Sequence, residues 1–241
     1  MRLDLYLVEH KHAASRHKAQ EMIKRGFVLV NNMVNKKASH NIRFEDQVTL
    51  TETLQYVSRA GDKLAFALDA FKVNPKGMAC LDIGSSTGGF TDCLLQNDAA
   101  SVVAVDVGTD QFHVSLYGDP RIELFEQTDI RKFESHQKFD LIVCDVSFIS
   151  LTQIIPELPR FMKQGSQAIL LVKPQFEVSS RQRTKSGIVK NDTDLKTVFS
   201  KITECAERTG FNIVGEFKNV PIKGGDGNQE YVILLECTSV F

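Results

Sequence analysis

The chain has 241 residues, of which 42% are hydrophobic and 24% are charged, and its formal net charge is −1. This composition is typical of a soluble globular protein. The length allows one large domain, or a small domain beside a medium one. No apolar run approaches the ~18 residues of a membrane span. Five scattered cysteines without a C-x-x-C pair, histidines without metal-ligand spacing and a charged N-terminus argue against a disulfide framework, a metal site and a signal peptide, so we expect a cytoplasmic protein.

Charge is distributed unevenly along the chain. Residues 1–60 hold ten lysines and arginines against six acidic residues, whereas the rest of the chain holds 19 against 24. A small basic module attached to an acidic one suggests that the first part contacts a polyanion. We therefore expect a first domain at 1–50, a linker at 51–58 and a second domain at 59–241.

The first domain is predicted to begin with two short helices. One spans about residues 3–10, and the second follows Ser15, whose side chain suits an N-cap, and ends at Gly26, which suits a left-handed C-cap. Short strands are predicted after the helices at 27–30 and 47–50, with a tight turn at Asn31-Asn32. A unit of this size has little room for a hydrophobic core.

Several motifs in this segment resemble the S4 RNA-binding domain, namely Arg2-Leu3-Asp4, Ser15-Arg16-x-x-Ala19, Ile23, Gly26-x-Val28-x-Val30-Asn31 and Asp46-x-Val48. The resemblance covers nearly the whole segment and implies RNA as a partner. The candidate RNA contacts are Arg2, Arg16, Lys18, Lys24, Arg25, Lys36 and Lys37. These side chains could form one face that binds phosphates. The alternative is a set of scattered charges that only keep the domain soluble.

Residues 79–91 read as an apolar strand, a loop of small residues and the opening of a helix near Gly88. An acidic residue, Asp82, ends the strand, where its side chain could reach past the sheet edge. The glycines allow a sharp turn and a close approach by a ligand. The loop does not match the G-x-G-x-x-G of dinucleotide sites, because Ser86 stands where the second glycine should be. The form Asp-x-Gly-x-Ser-x-Gly instead resembles the first motif of S-adenosylmethionine-dependent methyltransferases.

A second predicted strand ends at Asp106, 24 positions after Asp82. A carboxylate there can accept both hydroxyls of an adenosine ribose. Asp129, after a third strand, is a candidate adenine contact by the same resemblance, or else a helix N-cap. The candidate cofactor-binding residues are Asp82, Gly84, Ser85, Ser86, Thr87, Gly88, Gly89, Phe90, Asp106 and Asp129.

Strand and helix signals alternate through the rest of the chain. A buried strand spans 139–145, and 151–162 reads as a helix that Pro156 and Pro159 interrupt. The later elements are predicted as a strand at 167–173, a helix at 193–209 and strands at 211–217 and 231–235. Such alternation indicates an α/β fold with a doubly wound, mostly parallel sheet.

Three charged residues end parallel strands at the edge that would carry the cofactor, namely Asp82, Asp145 and Lys173. A lysine after so apolar a run is costly unless it is paired or functional. A desolvated lysine releases its proton more easily and can then serve as a base. Lys63, from the helix before the sheet, and Glu230, at the head of the last strand, are further candidates.

The same positions fall within motifs that resemble the TlyA family of S4-domain, FtsJ-like ribosomal RNA 2′-O-methyltransferases, whose members are often labelled haemolysins. The motifs are Ser58-Arg59-x-Gly61-x-Lys63-Leu64, Leu81–Thr91, Cys144–Ser150, Lys173-Pro174-Gln175-Phe176-Glu177, Gly187-Ile188-Val189, Pro221–Gly224 and Gly227-Asn228-x-Glu230-Tyr231. The resemblance spans essentially the full chain and departs from the family pattern at 60–62 and in the loop 178–185.

This resemblance implies a Rossmann-like class I methyltransferase domain with a seven-stranded sheet and a catalytic tetrad of Lys63, Asp145, Lys173 and Glu230. It also implies S-adenosylmethionine as cofactor and ribosomal RNA or ribosomal subunits as partners, with a cytidine as the favoured target. Lys173 would take the proton of the 2′-hydroxyl and Asp145 would orient it, while Lys63 and Glu230 hold the ribose in line. No metal is implied.

A basic loop with Arg181, Arg183 and Lys185 is predicted to be mobile in the free protein and to clamp RNA, unless it is only a solvated charged loop. Two other functions stay open: an RNA-binding or ribosome-assembly factor with a silent methyltransferase fold, and a membrane-active haemolysin. The haemolysin is disfavoured because no suitable apolar segment is present, and a small-molecule methyltransferase is disfavoured by the basic N-terminal module. We expect a monomer or a weak homo-oligomer.

Overall fold

Two units, Met1–Ser58 and Arg59–Phe241, make up the chain in the computed structural model. The structure describes residues 1–51, 55–178, 189, 191–222, 224 and 227–238. Within these ranges no helix has both the length and the hydropathy needed to cross a membrane.

The N-terminal unit packs two helices on a small antiparallel sheet. Its elements are α1 (Leu3–Glu9), α2 (Arg16–Arg25), β1 (Val28–Val30), β2 (Met33–Val34) and β3 (Val48–Leu50), and the strand order is β2-β1-β3. The Ser15 side chain accepts a hydrogen bond from the Lys18 amide at 3.2 Å, and Gly26 has φ +84°, so both predicted caps are confirmed. Strand β2 was not predicted, because two exposed residues carry no periodic signal.

The C-terminal unit is a seven-stranded sheet of the order β6-β5-β4-β7-β8-β10-β9. Its elements are α3 (Arg59–Phe71), β4 (Ala79–Ile83), α4 (Gly89–Gln96), β5 (Ser101–Val105), β6 (Ile122–Phe125), β7 (Phe139–Cys144), β8 (Met162–Val172), α5 (Pro174–Glu177), α6 (Asp192–Arg208), β9 (Phe211–Asn219) and β10 (Tyr231–Cys237). Strands β4 to β8 pair in parallel, whereas β10 runs antiparallel to both of its neighbours. The predicted mostly parallel, seven-stranded sheet is confirmed.

The segment between β7 and β8 differs from its prediction. Residues 151–162 form two 3-10 helices, Leu151–Gln153 and Ile155–Phe161, instead of an interrupted α-helix. Pro156 and Pro159 have no backbone N–H to donate, so a regular α-helical ladder cannot form across them. Strand β8 begins at Met162 rather than at 167. Its first residues were not predicted as strand because most of them are polar.

The sheet brings several chain segments to one edge. Because β4, β5, β7 and β8 are parallel, the loops after all four leave from the same side. Strand β10 starts on that side, since Tyr231 pairs with Val172 at the end of β8. The central strands are almost entirely buried, as expected for a parallel sheet that is covered on both faces.

Candidate active site

The loop after β4 is built on glycines that could not be replaced without strain. Gly84 has φ +81°, and a Cβ atom there would lie 2.6 Å from the carbonyl oxygen of Asp145. Gly88 has φ +84°, and a Cβ atom there would meet a Phe112 ring carbon at 2.8 Å. The loop therefore lies against the segment after β7 more closely than any side chain would allow.

Asp106 joins this loop to the next one. Its carboxylate accepts hydrogen bonds from the Ser86 amide at 2.8 Å and from the Gly108 amide at 2.6 Å. Each oxygen keeps a further lone pair, so the carboxylate can still accept a ligand hydroxyl. Asp106 thus shapes the site and can bind at it.

A cavity of about 670 Å³ opens beside this loop. Its lining includes four of the predicted cofactor residues, Gly84, Ser86, Asp106 and Asp129, together with the catalytic candidate Asp145. The other predicted cofactor residues do not line it: Asp82, Ser85, Thr87, Gly88, Gly89 and Phe90. Asp82 lies in β4, and the others form the turn after β4 and the first residues of α4, where Phe90 is buried in the core.

Asp82 does not reach past the sheet edge, because β4 continues to Ile83 and the carboxyl group is fully buried. Its Oδ2 accepts a hydrogen bond from the Thr91 hydroxyl at 2.6 Å, which ties β4 to α4. Burial raises the pKa of Asp82 to about 7, because the charged form loses its hydration. Asp82 therefore stabilises the loop between β4 and α4 through a buried hydrogen bond and does not contact the cavity.

We expect Asp82→Asn to remove a pH dependence of stability. A folded-state pKa of about 7 lies above the unfolded value, so this group's stabilisation is complete near pH 4 and is lost as the pH rises toward 7. Relative to the variant, the wild type should lose about 2–3 kcal/mol of unfolding free energy between pH 5 and pH 8. Urea unfolding followed by circular dichroism measures this, with the exposed Asp98→Asn as control. Parallel pH profiles for wild type and Asp82→Asn would contradict it.

Asp129 lies at the cavity wall in a strong ion pair. The guanidinium of Arg131, which also lines the cavity, donates to both carboxylate oxygens, with an Nη2–Oδ2 distance of 2.6 Å. This contact lowers the pKa of Asp129 to about 2. No helix begins here, so the N-cap alternative is wrong, and the residue closes a turn at Lys132 and Phe133 instead. Contact with an adenine remains a prediction.

The four tetrad candidates form two ion pairs. Lys63 Nζ lies 2.5 Å from Glu230 Oε2, and Lys173 Nζ lies 2.5 Å from Asp145 Oδ1, with all four side chains at least 86% buried. Because Tyr231 pairs with Val172, the register places Glu230 and Lys173 at the same level of neighbouring strands. All four residues therefore belong to one edge of the sheet.

Lys173 has a further partner that links it to the cavity. Its Nζ donates to the Ser147 hydroxyl at 2.8 Å, and Ser147 and Asp145 both line the cavity. A ligand hydroxyl bound in the cavity beside Lys173 Nζ would therefore lie within reach of this nitrogen as a base. In the part of the chain that the structure describes, no group of acidic, histidine and cysteine side chains could hold a metal ion.

Glu177 connects the loop after β7 to the turn after β8. Its buried carboxylate accepts hydrogen bonds from the Ser150 hydroxyl at 2.5 Å and the Leu151 amide at 2.7 Å, and Lys201 Nζ lies 3.6 Å away. The neighbouring Phe176 packs on Phe148 of the same loop, with ring centroids 5.0 Å apart. The segment with Asp145 and the segment with Lys173 are thereby held together.

We expect Glu177→Ala to lower kcat by about 10- to 100-fold, since a misplacement of about 1 Å in a reacting group can have that effect. The loop after β7 would lose its anchor, whereas Glu177→Gln keeps an acceptor oxygen and should recover part of the rate. Lys201→Ala removes only the half-exposed partner and serves as control. Steady-state kinetics measures kcat for the wild type and for each of these variants. An unchanged kcat in a Glu177→Ala variant of lower stability would make the residue purely structural.

The sequence did not single out several residues of this site. Ser147 and Phe148 lie inside a motif that was quoted for its aspartate, and Glu177 inside one quoted for its lysine. Gln111, whose side chain meets the Ser86 hydroxyl at 3.1 Å, carries no sequence signal at all. Phe148 could have been noticed, because it is a large apolar residue beside an acidic strand end.

The N-terminal basic residues do not all have the same surroundings. Arg2 and Arg16 both donate to the buried carboxylate of Asp4, each with an Nε–O distance of 2.9 Å. The guanidinium of Arg2 is the main cause that holds the pKa of Asp4 well below its usual range. Arg25 pairs with Glu21 at 3.1 Å. Of the others, Lys18 is half-buried, and the exposed ones are Lys24, Lys36 and Lys37.

The predicted loop contacts Arg181, Arg183 and Lys185 lie outside the described residues, as does the expected mobility of that loop.

Two family models match the chain. The FtsJ-like methyltransferase model matches residues 56–237, and the S4 domain model matches residues 1–48. Hemolysin A of Brachyspira hyodysenteriae is 40% identical over an alignment of 240 positions, which covers 96% of this chain and 98% of that protein. The 23S rRNA (cytidine-2′-O)-methyltransferase TlyA of Campylobacter jejuni is 38% identical over an alignment of 251 positions, which covers 96% of this chain and 97% of that protein.

Solved structures agree with these matches. A protein of Streptococcus thermophilus that carries the name hemolysin has a TM-score of 0.78 at 37% identity, over 99% of this chain and 89% of that one. An S-adenosylmethionine-dependent methyltransferase of Listeria monocytogenes has a TM-score of 0.56 at 14% identity, over 76% of this chain and 100% of that one. At that identity the likeness extends to the fold alone.

Proposed function

This chain belongs to the TlyA family of FtsJ-like methyltransferases with an N-terminal S4 domain, and we propose that it methylates the ribose 2′-hydroxyl of a cytidine in ribosomal RNA. The proposal rests chiefly on one observation: two buried lysine–carboxylate pairs lie at the sheet edge where the cavity opens, and Asp145 of one pair lines that cavity. A ribose hydroxyl is a weak nucleophile, so it needs a base and close orientation, and such pairs can provide both. The names of the relatives support the choice of RNA and of cytidine.

The cavity fits S-adenosylmethionine. Its volume of about 670 Å³ suits a ligand of that size, and it lies beyond the carboxyl ends of β4, β5 and β7, where open α/β sheets bind ligands. Asp106 has lone pairs free for the ribose hydroxyls, and Gly84 lets the loop pack closely on the backbone of Asp145 at the cavity wall. The bound cofactor supplies a methyl group on a sulfonium centre. Asp129 and Gln111, which also line the cavity, would contact the adenosine.

The tetrad would act on the RNA hydroxyl. Lys173 Nζ would accept the proton as a neutral amine, so its own ammonium proton must leave first, and Asp145 and Ser147 hold that nitrogen at the cavity. Lys63 and Glu230 keep the ribose in line from the other side. Because the target hydroxyl must reach a pocket, the nucleotide has to leave its stack.

The N-terminal unit would hold the surrounding RNA by its phosphates, through Arg2, Arg16 and the exposed lysines. The loop with Arg181, Arg183 and Lys185 stays a proposed RNA clamp. We place the enzyme in the cytoplasm, acting as a monomer or a weak homo-oligomer.

Phe148 offers a surface for the displaced base. It is 91% exposed at the cavity wall, and its backbone adopts φ +65°, which a bulky residue rarely does. We expect Phe148→Ala to lower kcat/KM for RNA about 5- to 150-fold, since stacking on one base is worth about 1–3 kcal/mol. Phe148→Tyr should keep most of the activity. Equal kcat/KM for the alanine variant and the wild type would exclude a stacking role.

The proposed function is tested by methyl transfer from labelled S-adenosylmethionine to ribosomal RNA and to subunits that lack the modification. Label on the 2′-oxygen of a cytidine is the expected result. Measurable cofactor binding without label on any RNA or subunit would contradict it, and would favour a ribosome-assembly factor with a silent methyltransferase fold.

A further inference from the structure

Two exposed histidine rings and a half-buried tyrosine lie on the N-terminal unit, which also carries the arginines held by Asp4. Arg2, Tyr6 and His10 follow one another at intervals of four residues, so they share a face of α1. The backbone supports this spacing, with the Tyr6 amide bonded to Arg2 and the His10 amide bonded to Tyr6. The face therefore runs from a fixed guanidinium to an aromatic end.

The ring of His10 is held against that of Tyr6. The two centroids are 3.9 Å apart with an interplanar angle of 18°, which is a stacked arrangement. His10 Nδ1 also lies 3.0 Å from the Tyr6 carbonyl oxygen. A carbonyl oxygen only accepts, so Nδ1 carries the hydrogen and the imidazole has a defined orientation.

His12 extends this stack sideways. The chain turns back after α1 because Lys11 adopts φ +59°, and the His12 amide donates to the Leu7 carbonyl at 2.8 Å. The His12 centroid lies 6.5 Å from both other rings, at angles of 23° and 10°. Equal distances place it beside the stacked pair rather than on top of it. Tyr6 is half-buried and stacks on His10, so the surface that solvent reaches consists mainly of the two exposed, nearly parallel histidine rings.

The chemistry of this surface suits an unpaired nucleobase. Flat rings accept the face of any base, and nearby cations hold the phosphates of the same strand. Those cations are present, since Arg2 and Arg16 keep 39% and 53% of their side chains exposed while Asp4 fixes their position. Lys11 adds a third exposed cation between the two histidines.

We propose that Tyr6, His10 and His12 form a stacking platform for an unpaired base of RNA, whose flanking phosphates bind Arg2 and Arg16. This inference rests on the proposed function, because it takes RNA as the substrate. It assigns the N-terminal unit a preference for single-stranded or bulged RNA, whereas phosphate contacts alone would give only charge recognition. None of the three rings is among the residues that line the cavity.

The test is binding of the full chain to a 12-nucleotide single-stranded RNA that carries 2-aminopurine, beside a duplex of equal length. We expect the wild type to prefer the single strand, and the double variant His10→Ala, His12→Ala to bind it about 5-fold or more weakly. The double variant His10→Phe, His12→Phe should bind as the wild type does. His136→Ala, an exposed histidine of the C-terminal unit, is the control.

Salt dependence separates stacking from phosphate contact. Arg16→Ala should reduce the slope of log K against log salt concentration by about 0.7, whereas the histidine-to-alanine variant should leave the slope unchanged. Equal affinity of the alanine variant and the wild type would overturn the platform, and so would a phenylalanine variant as weak as the alanine one. A wild type without affinity for either RNA would instead contradict the RNA-binding part of the proposed function.

Discussion

Lys173→Ala is expected to lower the rate of methyl transfer about 10²- to 10⁴-fold, the usual contribution of a positioned base, while S-adenosylmethionine binds as before. The lysine does not line the cavity itself and contacts it only through Asp145 and Ser147. Its loss should therefore leave the cofactor site nearly intact. Labelled methyl transfer at saturating cofactor and RNA measures the rate, and calorimetry measures cofactor binding.

Two further variants make this experiment decisive. Lys163→Ala, at the far end of the same strand, removes an exposed lysine that pairs with Asp140 and should change little. Lys173→Arg keeps a positive charge but cannot accept a proton, because arginine stays protonated in proteins. A silent arginine variant supports a base, whereas an active one would mean that Lys173 contributes charge alone. A Lys173→Ala variant that keeps a tenth or more of the rate would contradict both roles.

Local signals explain why much of the fold could be predicted. The caps at Ser15 and Gly26 depend on the properties of single residues, and the alternation of strands and helices depends on periodicity over ten residues or so. The prediction began β8 too late because most of the first residues of this strand are polar. Residues 151–161 were predicted as an interrupted α-helix but form 3-10 helices. Prolines indicate that an α-helix is interrupted, but they do not indicate which geometry replaces it.

The site was predicted only as a set of positions. The resemblance implied four tetrad residues, yet nothing in the sequence says that Lys63 pairs with Glu230, which lies 167 residues away. Likewise, an acidic residue near a strand end can point outward or into the core, and Asp82 points into the core because it bonds to Thr91. Such outcomes depend on packing across the sheet, which spacing along one chain does not encode.

The N-terminal charges show the same limit. Composition indicated a basic face, but Arg2 and Arg16 take their positions from the buried Asp4, and Arg25 is engaged by Glu21. Counting charges therefore does not show which cations are held in place by carboxylates of the same unit. What the sequence did carry was the sign of the unit's charge, and hence the polyanionic class of its partner.

The pair of Lys63 and Glu230 offers the second large effect. Glu230→Ala would leave the Lys63 ammonium buried without its carboxylate, which is expected to cost about 3–5 kcal/mol of unfolding free energy. Replacing both residues, as Lys63→Met with Glu230→Leu, removes the charges together and should restore most of that stability. Urea unfolding followed by circular dichroism measures this. Lys72→Ala, which breaks the exposed pair with Asp69 after the same helix, should change stability by less than about 0.5 kcal/mol.

Activity should not follow stability in the double variant. If the pair holds the ribose in line, apolar side chains of similar volume can refill the space but cannot bind a hydroxyl, so methyl transfer should stay at least about 10²-fold below the wild type. A stable double variant with normal transfer would show that the pair only fills a polar gap between α3 and β10. Since Lys63 and Glu230 are bonded to each other rather than to Lys173, the double variant separates the positioning of the ribose from the removal of its proton.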